Sequence, residues 1–130
     1  MNAEKIWANF SVKDAKHTRQ FYTQLGFTPN NPNNDPKLAS FLFGDDDFVI
    51  HFFEQGSRID EYLPSGSETS EIIFTLSAET EAEVNEFADK VKEAGGKIFQ
   101  KVRRDENNYY GFAFADPDGH KFNVLLMDNM

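Results

Sequence analysis

The apolar patterning of this chain runs through one series of elements and then starts the series again, and that repeat limits the fold more than any other feature. Residues 5–12 alternate in polarity, with Ile6, Ala8, Phe10 and Val12 on one side and Trp7, Asn9 and Ser11 on the other. That is the period of a half-buried strand. Asp14 predicts a helix N-cap. Thr18, Phe21, Tyr22 and Leu25 predict a single apolar helical stripe, and Gly26 predicts its end. A short strand at 27–28, the polar loop "PNNPNNDP", and strands at 38–43 and 48–53 joined by the turn "GDDD" complete the first series.

The stretch "EQGSRIDEYLPSGSETS" interrupts the pattern and predicts a connection. The order then begins again with a strand at 71–76. Thr80 and Glu83 predict a capping box, Val84, Phe87, Ala88 and Val91 form the stripe, and Gly95-Gly96 stops the helix. Strands at 97–102, 109–115 and 121–127 follow. The helix exits "QFYTQLGF" and "KVKEAGGKIF" occupy matching places. The expected fold is therefore α+β, a duplicated βαβββ unit within one domain over 1–130. Module one covers about 1–55, the connection about 54–70 and module two about 71–130.

A chain of 130 residues can bury one core, and its 14 Phe, 4 Tyr and 1 Trp predict an aromatic one. A net charge of -9 argues against nucleic acid or an anionic membrane as partner. With no cysteine, disulfides, thiolate metal sites and Cys nucleophiles are excluded. The start "MNAEKIWANF" has no signal-peptide pattern, and no apolar run is long enough to span a bilayer, so a cytoplasmic location is expected.

The stretches "NFSVKDAKHTRQFYTQLGF" and "GFAFADPDGHKFNVLLMD" resemble the opening and closing motifs of the vicinal oxygen chelate superfamily. This group includes glyoxalase I, bleomycin-resistance proteins, fosfomycin-resistance enzymes and extradiol dioxygenases. The resemblance implies that the two modules form an open, cavity-enclosing β-barrel, commonly in a homodimer. It also implies four metal-ligand positions, which fall here on Trp7, His51, Glu71 and Asn123. Imidazole and carboxylate suit a divalent transition metal, an indole has no lone pair to give, and a neutral amide oxygen is a weak donor. With Trp7 and Asn123 in two of the four places, a tight metal is not expected. A loosely held one would rest on His51 and Glu71.

An extradiol dioxygenase needs two histidines and a carboxylate on iron. His17 falls beside the stripe of the first helix and His120 at the turn before the last strand, so that triad cannot be assembled. The expected function is binding of a small cationic or aromatic molecule, as in the bleomycin-resistance branch. Its pocket would be lined by Trp7, Asn9, His51, Glu71, Asn123 and Tyr110. The alternative is a glyoxalase-like metal-dependent lyase or isomerase in which Glu71 is both ligand and catalytic base. Plainer readings stand beside both: His51 as an ordinary buried histidine, Glu71 as a solvated edge residue, and a module whose cavity is filled by its own phenylalanines.

Overall fold

The computed structural model describes residues 1–30, 35–63 and 71–127. Parts of the expected loop (31–34) and connection (64–70) lie outside them, as do 128–130. By packing, the chain divides into two units, Met1–Ser67 and Glu68–Met130. The architecture is α+β, with two four-stranded sheets and two α-helices.

The first unit runs β1 (Ala8–Val12), α1 (Ala15–Gln24), β2 (Thr28–Pro29), β3 (Leu38–Phe43), β4 (Phe48–Glu54) and a 3-10 turn at Arg58–Glu61. The second runs β5 (Ile73–Ala78), α2 (Glu81–Ala94), β6 (Lys97–Arg104), β7 (Tyr110–Ala115) and β8 (Lys121–Leu126). Strand order is β1-β4-β3-β2 in one sheet and β5-β8-β7-β6 in the other, so the duplication extends to topology. In each, the strand before the helix pairs in parallel with the last strand, and the remaining pairs are antiparallel. Both sheets are open, and neither closes into a barrel.

The helix boundaries follow local chemistry. Asp14 caps α1, accepting from the backbone N–H of Lys16 at 3.0 Å and of His17 at 3.3 Å. Thr80 Oγ1 accepts from Glu83 N at 3.0 Å, and Glu83 reaches back to the N–H of Glu79 at 2.9 Å. The reciprocal pair is thus a capping box displaced by one residue on its return arm. Gly26 and Gly95 both follow their helices at φ 95°, a left-handed backbone that an L side chain resists.

All four residues of the first predicted stripe are buried: Thr18, Phe21, Tyr22 and Leu25. Tyr22 is the hub of this core, with its ring 4.7 Å from Phe52, 5.6 Å from Phe41 and 5.0 Å from Phe21. In the second unit Val84, Ala88 and Val91 of α2 are buried, and Phe114 stacks on Phe122 at 5.3 Å and 9°. The abundant phenylalanines therefore supply the helix-facing side of each sheet.

Two strand starts differ from expectation by two residues or more. The chain before Ala8 has no regular structure, with Ile6 81% exposed, and β5 begins at Ile73, leaving Glu71 and Ile72 outside it. Alternating polarity marks residues able to share a face, but a strand extends only as far as a neighbour supplies its hydrogen bonds. Among the described residues, no helix is long and apolar enough to cross a membrane.

Candidate functional site

Side chains two residues apart on a strand share a face, so pairing register decides which groups lie side by side. On β4, Ile50 and Phe52 are buried toward α1, and His51 stands on the opposite face. Its neighbours in register are Asn9 of β1 and Ser40 of β3. Ser40 is the polar residue in the middle of "LASFLF" and is only 3% exposed. His51 Nδ1 lies 2.8 Å from Ser40 Oγ, and Asn30 Nδ2 donates to the same oxygen at 3.1 Å. Asn30 is held in turn by its backbone N–H, which donates to Ser40 O at 2.8 Å.

Desolvation holds the His51 imidazole below its ordinary pKa, so the ring is neutral at neutral pH. Ser11, two residues beyond Asn9, carries a buried hydroxyl that meets no hydrogen-bond partner among the described residues. Trp7 precedes β1 and is 52% exposed.

In the second unit the equivalent register places Asn123 of β8 between Thr75 of β5 and Ala113 of β7. Thr75 Oγ1 donates to Asn123 Oδ1 at 2.6 Å. Thr75 thus stands to Asn123 as Asn9 stands to His51. The counterpart of Trp7 is then Ile73, two residues before Thr75, and not Glu71. Glu71 is exposed and outside β5 because that strand starts later than its alternation suggests.

Tyr110 also departs from expectation. It shares strand parity with the buried Phe112 and Phe114, and its hydroxyl donates to Asn85 of α2 at 2.7 Å. It therefore lies on the helix side of the sheet. The parity of "YGFAF" carried that signal. Its neighbour Tyr109 instead lines a groove of 60 Å³ on the other face, together with Gln100, Arg103, Gly111 and Asn123.

Gly111 forms part of this groove's floor. A Cβ there would run into the Val124 carbonyl oxygen, so the close approach of β7 to β8 requires glycine. The tip of the β6–β7 hairpin is set by Asp105, whose Oδ1 accepts from the N–H groups of Asn107 and Tyr109, both at 2.9 Å.

His120 has a structural role. Buried at 2% exposure, its Nδ1 and its backbone N–H lie 2.8 Å from the two carboxylate oxygens of Asp116, closing the "DPDGH" turn into β8. This agrees with its expected place at the turn before the last strand.

A divalent metal at the four positions implied by family resemblance would meet an indole, one imidazole, an exposed carboxylate off its strand, and an amide oxygen already accepting from Thr75. Among the described residues no three His, Asp or Glu side chains gather. This donor set does not fit a tightly held transition metal.

Comparison with known proteins sets the fold in context. The chain is similar to hypothetical protein SA1046 from S. aureus, at 30% identity over 97% of this chain and 95% of that one, with a TM-score of 0.85. It is similar in fold to a glyoxalase-related enzyme from Fulvimarina pelagi, at 16% identity, 95% and 88% coverage and a TM-score of 0.78. It is likewise similar in fold to the fosfomycin resistance protein FosX from Mesorhizobium loti, at 18% identity, 97% and 93% coverage and a TM-score of 0.67. No curated protein sequence matches it. Residues 6–124 match the family described as the Glyoxalase/Bleomycin resistance protein/Dioxygenase superfamily, and the chain belongs to that superfamily.

Proposed function

We propose that this protein binds a small organic molecule on the open face of its second sheet and holds no tight metal. The observation that carries this reading is the second-sheet groove, where Asn123 stands in place of a metal ligand beside Tyr109, Gln100 and Arg103. Convergent polar groups beside an aromatic ring can fix the orientation of a small ligand. On the first sheet, taken by itself, the Ser11 hydroxyl and the His51–Ser40–Asn30 chain present fixed hydrogen-bonding groups.

One observation favours the metal-dependent lyase or isomerase. His51 Nδ1 lies 2.8 Å from Ser40 Oγ, and in the tautomer whose Nδ1–H donates to that oxygen Nε2 is left free to ligate. Calorimetry and thermal-shift screening of organic ligands, run beside elemental analysis after loading with Ni, Zn or Mn, separate the two. The expected result is stabilisation by an organic ligand and well under one equivalent of metal. Stoichiometric metal together with turnover of methylglyoxal and glutathione would overturn the binding reading. The same reading takes the chain as a cytoplasmic homodimer. Light scattering at micromolar concentration should give twice the monomer mass.

A further inference from the structure

The whole chain carries a net charge of -9, which suggests a cationic ligand, but the groove on the second sheet has the opposite local character. We propose that this groove is a subsite for a small oxyanion, a carboxylate or phosphate group borne by the ligand. The proposal rests on the small-molecule reading above and gives it a ligand class.

Four observations converge. First, Lys101 and Arg103 both line the groove, and among the described residues neither pairs with a carboxylate. The next residue, Arg104, differs: it is tied to Glu81 at 3.5 Å and to Asn108 O at 2.8 Å, and sits over the Tyr110 ring on the helix side. Second, the pairing of β6 with β7 shifts register between Ile98 and Gln100 and again between Gln100 and Arg103. Such bulges re-aim side chains, and they let the consecutive residues Gln100 and Lys101 reach one site that a regular strand would place on opposite faces.

Third, Thr75 takes one lone pair of the Asn123 carbonyl oxygen, and the Asn123 Nδ2 group remains as a donor for a ligand. Gln100 can add donors of its own. The single carboxylate of the lining, Asp105, spends one oxygen on two backbone N–H groups of the hairpin. Fourth, the groove holds 60 Å³, about two waters' worth of space. That admits an oxyanion head group and leaves the rest of the ligand outside, beside Tyr109. An arginine fork suits this chemistry because it donates two parallel hydrogen bonds to a carboxylate or phosphate.

The test is an NMR titration of the full chain with four probes of similar size: benzoate, phenyl phosphate, benzamide and benzylamine. Benzoate or phenyl phosphate should shift the amides of Gly111 and Asn123 and the Arg103 side chain, and which of the two binds tighter identifies the oxyanion. Arg103→Gln should weaken that binding about tenfold, since a charge-assisted bond is lost. Arg104→Gln should leave it unchanged, and thermal melts confirm that both variants fold. Equal binding of benzylamine or benzamide at the same amides would overturn the anion preference while leaving a small-molecule site. Silence at these amides, with other ligands stabilising the chain, would overturn the subsite alone. Silence there and throughout the wider screen would overturn both readings.

Discussion

At the scale of single residues, His51 and Gly111 show how a neighbour sets the properties of a side chain. His51 is partly desolvated, and its pKa lies below the ordinary 6.5. As pH falls through that value the unfolded chain takes up the proton first, so stability is lost below about pH 6.5. His51→Gln should remove part of this slope, read as a smaller difference between urea midpoints at pH 7.5 and 5.5 than in the parent. An equal slope in both proteins would assign the pH dependence to other groups. At Gly111, the obstacle is the Val124 carbonyl on the adjoining strand. Gly111→Ala should cost about 1–3 kcal/mol in urea unfolding, the range for forced overpacking. An unchanged midpoint would mean that β7 and β8 can separate freely there.

At the scale of elements, the helices end where local signals say they should, and the strands do not. Asp14, Thr80, Gly26 and Gly95 act within four residues of themselves, and all four are found in their expected capping places. Thr80→Ala should therefore destabilise the protein by about 1 kcal/mol, the usual worth of an N-cap hydroxyl. Thermal unfolding measures it, and a loss near zero would mean that the Glu83 arm suffices alone. Strand limits depend on a partner elsewhere in the chain. Residues 5–7 and 71–72 alternate correctly yet lie outside β1 and β5. That displacement of two residues takes Glu71 off the strand and makes Thr75 the neighbour of Asn123. Tyr110 was readable, since it shares parity with Phe112 and Phe114. Asn30 was not, because nothing in a polar loop states which strand residue its amide will meet.

At the scale of the whole molecule, charge is the largest feature that no single contact explains. A net charge of -9 produces self-repulsion, and the exposed ion pairs Arg58–Glu61 and Arg104–Glu81 are of the kind that contributes little. Raising salt from about 0.01 M to about 0.3 M shortens the screening length several-fold. The Tm should rise by a few degrees in calorimetry. A fall would show that the surface pairs outweigh the repulsion. The charge is not spread evenly, because the Lys101–Arg103 segment places two cations at one groove inside an acidic chain.

The sequence by itself determined the order of elements, their duplication, the helix caps, the helix-facing aromatic cores and membership of the superfamily. Superfamily membership rests on the resemblance of the opening and closing motifs, and the other properties rest on periodicity and on contacts between residues close along the chain. Only the tertiary structure decided that Ser40 and Asn30 stand behind His51, that Thr75 donates to the Asn123 oxygen, and that two register shifts bring Gln100 and Lys101 to one groove. The reason is register. It is set between distant strands, and a slip of one residue turns every side chain to the other face.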